Sequence, residues 1–156
     1  MTGYEKSLEV MNELFGKDVE FSLATSCDDI PSVRMVDIFY GSGSFWIVTY
    51  KDSNKAIEIK LNPNVALCKH LHRFKGKAYC AGHPLDKENK EIRSKLIKAF
   101  ESWYFAHNNE NDENMCYIRV DLQEGFFYKD GMGYKVDFKN KTAEEFPFSD
   151  YIISDE

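Results

Sequence analysis

Leu8, Met11, Leu14 and Phe15 recur at three- and four-residue steps, which predicts an amphipathic helix over residues 3–15 closed by Gly16. The pattern then changes period. Residues 18–26, DVEFSLATS, alternate apolar and polar as a strand does. Cys27-Asp28-Asp29-Ile30-Pro31 reads as a turn, because Asp closes local hydrogen bonds and proline presets the backbone. Ser32 to Tyr40 and Ser44 to Tyr50 are β-rich runs joined by Gly41-Ser42-Gly43, completing a three-strand antiparallel meander. Asp52 or Ser53 can cap a short helix running through about Leu61, closed by Asn62-Pro63-Asn64. Strands follow near 65–71 and 74–82. Asp86 then caps the longest helix, to about His107, with Ile92, Leu96, Ala99, Phe100, Trp103 and Tyr104 on its buried stripe. HNNENDEN at 107–114 is too polar to pack and predicts a solvated loop; 115–122, 125–129 and 133–139 again read as strands.

This order describes an antiparallel sheet with segregated helices, an α+β fold that is mostly β. At least six strands on short turns favour closure into a small barrel, since closure removes unpaired edges. With 156 residues the chain supplies one domain, assigned to 1–142, followed by an acidic C-terminal tail over 143–156.

Composition adds two points. Aromatic residues make up 15% of the chain, which suits strands and ring packing. A net charge of −6 argues against a nucleic-acid partner held by phosphate neutralisation, though not against one local phosphate site. The N-terminus lacks the apolar run of a signal peptide, and no stretch approaches the ~20 apolar residues of a membrane span. A cytoplasmic protein without membrane contact is expected. Cys27, Cys68, Cys80 and Cys116 contain no C-x-x-C pair and are expected as reduced, mostly buried thiols.

Candidate chemistry is sparse. Thr49-Tyr50-Lys51-Asp52-Ser53-Asn54-Lys55 passes from strand to helix, where unpaired N–H groups, hydroxyls and Lys55 suit a phosphate monoester; a plain capped helix start is the competing reading. Arg34, set among apolar neighbours in SVRMVDIFY, must face solvent or pair with an anion. Cys68, His70 and His72 share one face if their strand is continuous, but nothing completes a metal set, and no metal is expected. Common dinucleotide, P-loop, serine-hydrolase and zincin motifs do not occur.

Arg34-Met35-Val36, then Phe45-Trp46-Ile47-Val48-Thr49, Ser53-Asn54-Lys55-Ala56, Asn62-Pro63-Asn64-Val65-Ala66-Leu67 and Tyr79-Cys80-Ala81-Gly82 occur in that order. Together they resemble the FMN-binding split-barrel family of pyridoxamine 5'-phosphate oxidase, in its short, general stress protein form. The resemblance runs from about residue 8 to about 128. It implies a six-stranded split β-barrel homodimer with FMN at the subunit interface. By position, Arg34 contacts the phosphate or ribityl chain, and the backbone of Met35 and Val36 lies along the flavin edge. Val48 and Thr49 flank the ribityl phosphate, while Ser53, Asn54 and Lys55 hold the phosphate. Lys77 falls where the family places a polar residue reaching the flavin, possibly across the dimer.

The implied activity is an FMN-dependent oxidoreductase acting on a small molecule. Departures argue against a true pyridoxamine phosphate oxidase: Asn54 replaces a second basic phosphate ligand, Phe39 stands at the substrate-phosphate lysine, and the tail lacks the family's C-terminal tryptophan segment. The histidine of the nitroimidazole-reductase branch is also missing from Ile30-Pro31-Ser32. The alternatives are a flavin-binding stress-response protein without turnover, and a split barrel holding haem or a deazaflavin, with His70 or His72 on the iron.

Overall fold

The computed structural model describes residues 1–149. Helix α1 (Gly3–Phe15) opens on a capping box in which Thr2 and Glu5 bond reciprocally, and its Gly16 N–H returns to the Asn12 carbonyl. Strands β1 (Val19–Cys27), β2 (Ile30–Gly41) and β3 (Ser44–Tyr50) form the expected meander. The first hairpin is tighter than the sequence suggests. Asp28 and Asp29 alone turn the chain, at φ 52° and 63°, so Ile30 and Pro31 already pair with Cys27 and Ser26. Ser42 and Gly43 make the second turn at φ 52° and 78°.

Helix α2 (Asn54–Leu61), strands β4 (Asn64–Lys69) and β5 (His72–Cys80), helices α3 (Lys90–Ala99) and α4 (Tyr104–His107), and strands β6 (Met115–Lys129), β7 (Met132–Asp137) and β8 (Thr142–Pro147) follow. Strand order is β3-β2-β1-β4-β5-β6, closed by a second pairing of β3 with β6. The result is a six-stranded antiparallel barrel, with β7 and β8 added along the far half of β6. Phe21, Leu23, Ile38, Phe45, Ile47, Leu67, Phe74, Ala78, Ile118 and Val120 belong to its buried core. Phe15 at the end of α1 enters that core among the rings of Phe21, Phe45, Phe74 and Phe127, and Ile59 of α2 joins it as well. No helix among the described residues is long and apolar enough to cross a membrane.

Four expectations change. Residues 115–122 and 125–129, read as two strands, run as the single strand β6. Residues 143–147, read as the start of the tail, belong to a strand: β8 pairs with β7 from Asp137↔Thr142 to Met132↔Pro147, and Lys6 of α1 bonds Glu145 at 2.8 Å. The remainder of the expected tail, 150–156, lies outside the described residues. The single helix expected over 86–107 is a 3₁₀ turn (Lys87–Asn89), α3 and α4, interrupted at Phe100–Trp103. Its apolar stripe survives the break, since Ile92, Leu96, Phe100 and Tyr104 pack with Trp46, Met115 and Tyr117 in a second core. Within the loop expected to be fully solvated, Glu110 folds back onto Arg93 at 2.6 Å and onto the Tyr104 hydroxyl.

The break lets Trp103 Nε1 donate to Asp18 Oδ2 at 2.8 Å, joining the helical turn to β1. Asp18 also bonds Asp37, whose carboxyl is pushed up to about 6 by burial, then by that bond and charge, and by Glu20 opposite it in the ladder. A pKa raised above the unfolded value of 3.8 gives stability that is complete below that value and lost as pH rises through 6. Asp37→Asn is therefore expected to raise stability at pH 7 by about 1 kcal/mol, after discounting for solvent, and to flatten the loss between pH 4 and 6. Urea melts of both proteins across that range check it.

Candidate functional site

The ladder between β2 and β3 is short. It spans Phe39↔Trp46 to Gly41↔Ser44 and stops there. Continued, it would set Val36 opposite Thr49; instead β3 carries on against β6 alone, from Phe45↔Val120 to Tyr50↔Met115, while β2 carries on against β1. A split therefore opens between Val33–Ile38 of one strand and Ile47–Tyr50 of the other. Its β2 border is a backbone edge with no ladder on the β3 side, and it includes Met35 and Val36. Met35 is 58% exposed, whereas the Val36 side chain turns into the core, leaving only its backbone to serve the split.

The open side of β3 leads into α2. Ser53 caps that helix, its Oγ accepting from the Ala56 N–H at 3.3 Å and lying 3.1 Å from Thr49 Oγ1. Lys55 Nζ donates to Thr49 Oγ1 at 3.2 Å. Burial, and then the nearby Arg34 charge, hold the Lys55 ammonium below the ordinary lysine range. Among the described residues no carboxylate forms an ion pair with it. A helix start, two hydroxyls and a half-buried, unneutralised cation thus converge at the end of the split, an arrangement suited to an anion. Thr49 is buried and faces Cys116 across the β3–β6 ladder. Burial, followed by the neighbouring Cys80, pushes the Cys116 thiol up to about 12, so it adds no negative charge at neutral pH.

Arg34 joins this cluster, but not as a free guanidinium. Its Nη1 donates to Thr25 Oγ1 at 2.7 Å and to the Leu23 carbonyl at 3.2 Å, and its Nη2 donates to Glu58 Oε2 at 2.9 Å. Glu58 also accepts from Thr25 and, through Oε1, from Ser32 at 3.2 Å. The anion that a semi-buried arginine requires is therefore supplied by α2 itself. Glu58 escaped the sequence reading because it lies 24 residues from Arg34. The available signal was its standing as the only acid in the helix NKAIEIKL.

The other expected residues divide. Val48 borders the split beside Thr49, and Asn54, the first residue of α2, is exposed. Lys77 is set apart within the chain. It pairs with Asp121 on β6, whereas Thr49 pairs with Cys116, five residues or roughly 17 Å away along the strand. Two hollows, one of about 380 Å³ between Phe15, Asp18 and His72 and one beside His83 and Glu110, lie away from the split.

The other candidate clusters disperse. His70 turns the chain between β4 and β5 at φ 51°, so Cys68, His70 and His72 do not share a strand face. His72 is buried, stacked on Tyr128 with its centroid 4.3 Å away, and bonded to the Tyr128 N–H. Of the four cysteines expected to be mostly buried only Cys116 is, because Cys68 faces outward on β4 and Cys80 ends β5.

No family model matches the sequence, and none of the curated proteins matches it. Solved structures do share the fold. A NimC/NimA family protein from Clostridium acetobutylicum superposes with a TM-score of 0.57 and 21% identity, over 95% of this chain and 95% of its own. A pyridoxamine 5'-phosphate oxidase-related, FMN binding protein from Nostoc punctiforme gives 0.58 and 11%, over 96% and 98%. HutZ, the heme storage protein from Vibrio cholerae, gives 0.61 and 14%, over 83% and 96%. The architecture is thus the split barrel that the sequence motifs foreshadow, a fold shared by proteins named for FMN and for haem.

Proposed function

We propose that this chain binds flavin mononucleotide in the split between β2 and β3 and serves as an oxidoreductase for a small molecule, working as a homodimer. The carrying observation is Lys55: a half-buried cation without a carboxylate partner among the described residues, at a capped helix start, where the split ends. The FMN-binding protein of the same fold supports the choice of ligand. On this reading Lys55, Ser53 and Thr49 hold the phosphate, with Asn54 at the rim. The unladdered backbone of Met35 and Val36 borders the ring, and Val48 flanks the ribityl chain. Arg34 stands beside the phosphate position with its fork held on Glu58 and Thr25, so its charge is largely offset there. A bound flavin supplies hydride and electron transfer; the protein supplies position and charge.

Ile30, Val33 and Met35 on β2 and Ile57 and Leu61 on α2 are exposed apolar residues on the two elements that carry the site, and a second copy of the chain is assigned to cover them. Lys77 reaches the flavin only from that second copy. Phe39 packs against the α3 core, so the position of a substrate-phosphate lysine is filled by a ring with no charge to offer, which disfavours pyridoxamine phosphate as substrate.

The purified protein is expected to be yellow, or to become so on adding FMN, with a spectrum that dithionite bleaches. A protein that stays colourless after reconstitution overturns the proposal, and a Soret band in its place establishes the haem alternative. Flavin that no reduced nicotinamide can bleach across a panel of acceptors favours a non-catalytic flavoprotein. Sedimentation as a monomer with flavin bound removes the shared-interface part.

A further inference from the structure

Resting on the flavin mononucleotide reading above, we propose that Glu58 is a built-in counter-ion that sets how tightly the site holds a phosphate, keeping the phosphorylated ligand exchangeable. The mouth of the barrel under α2 holds two cations, Arg34 and Lys55, close enough for the first to depress the ionisation of the second. A phosphate dianion placed at Ser53, Thr49 and Lys55 would feel both charges. It would also feel Glu58, which stays ionised because hydrogen bonds from Thr25 and then Arg34, with a weaker one from Ser32, hold its carboxyl below the usual range.

Glu58 does more than dilute the field. Its Oε2 occupies Nη2 of Arg34, while Thr25 and the Leu23 carbonyl take Nη1. The planar face with which arginine grips a phosphate through paired bonds is thereby committed inside the protein. A ligand phosphate must either leave that lock closed and rely on Lys55 and the hydroxyls, or open it and strand Glu58 beside an anion. Both routes lower the affinity of a phosphorylated ligand and leave an unphosphorylated one untouched. The effect is specific to charge at this position, because α2 carries no other acid.

The test is a fluorescence titration of the full-length apoprotein with FMN and with riboflavin, which has the same ring and no phosphate. Glu58→Gln can keep one acceptor oxygen where Thr25 and Arg34 bond, turns an NH2 toward the Ser32 hydroxyl, which can accept from it, and removes the charge. It is expected to tighten FMN by about tenfold or more and to leave riboflavin within about twofold. Glu58→Asp keeps the charge and is expected to give no gain for FMN. An unchanged or weakened FMN affinity in Glu58→Gln, with wild type binding FMN, overturns the counter-ion role and leaves the flavin reading standing. Equal gains in both variants overturn it as well. If neither wild type nor Glu58→Gln binds either flavin, the flavin reading fails and the counter-ion role with it. Should thermal melts show that Glu58→Gln does not fold, the wild-type protein decides alone. A preference for FMN over riboflavin below about thirtyfold supports the offset, and a larger one shows Arg34 acting undiminished.

Discussion

Phe15→Ala is expected to cost about 3–5 kcal/mol of folding stability. The ring is 2% exposed and meets Phe21, Phe45, His72, Phe74 and Phe127 edge-on, with centroids 5.2 to 6.3 Å apart. Those partners come from four strands of the barrel, so no single strand can shift to refill the space. Alanine would leave a ring-sized void bordered by rigid aromatic walls and would forfeit the edge-to-face contacts as well. The loss is a large share of the ~5–15 kcal/mol that holds an ordinary domain folded. Urea denaturation should show a lower midpoint with an unchanged slope, the mark of lost stability without a looser denatured state. Flavin affinity of the fraction still folded should stay near wild type, because the rings that Phe15 meets, Phe21, Phe45, His72, Phe74 and Phe127, lie outside the split. A parallel fall in affinity would mean that the barrel interior transmits strain to α2.

The same residue shows what periodicity can and cannot report. Leu8, Met11, Leu14 and Phe15 mark the buried face of α1 in the sequence, but not that Phe15 enters a closed barrel. That depends on the β3–β6 pairing, between segments some 70 residues apart. Strand β6 reads in the sequence as two strands, 115–122 and 125–129, with a break at Gln123-Glu124. It runs unbroken because Gly125 offers no side chain where Phe74 and Phe138 lie over the backbone. Strand β8 was illegible for a different reason. TAEEFP buries little and carries no alternating apolar set; its place comes from the backbone edge that β7 presents.

The site was legible where its chemistry is local. Ser53, Thr49 and Lys55 lie within seven residues, and capping rules set Ser53 at the helix start before any tertiary contact is known. The split itself was not legible from alternation, because a strand edge with a partner and one without carry the same side-chain pattern. For Arg34 the sequence leaves solvent and an anion partner both open, and the choice of Glu58 depends on α2 folding over the barrel mouth. Lys77 shows the converse limit, since motif order sets it beside the expected site and the β5–β6 register sets it five residues along β6 from the partner of Thr49.

Lys55→Met is expected to separate binding from stability. Loss of the half-buried cation at the helix start should weaken FMN by about tenfold or more, with riboflavin unaffected, the usual scale for hydrogen bonds to charged groups. Stability of the ligand-free protein should move the other way. Burial, followed by Arg34, lowers the Lys55 pKa from 10.5, so the unfolded chain holds this proton more tightly than the folded one. The associated stability is present above pH 10.5 and is lost as pH falls through the depressed value, leaving the folded state penalised at neutral pH. Methionine keeps the length of the stem and removes the charge, so the apo variant should melt higher than wild type at pH 7, and the gap should close on the alkaline side. Excess FMN should then reverse the order, because ligand bound only to the folded state stabilises wild type more. Melting curves at pH 7 and near pH 10, each with and without FMN, decide it. A variant that is destabilised without ligand would mean that Lys55 is a structural strut bonded to Thr49, and a variant that keeps wild-type FMN affinity would move the phosphate away from α2.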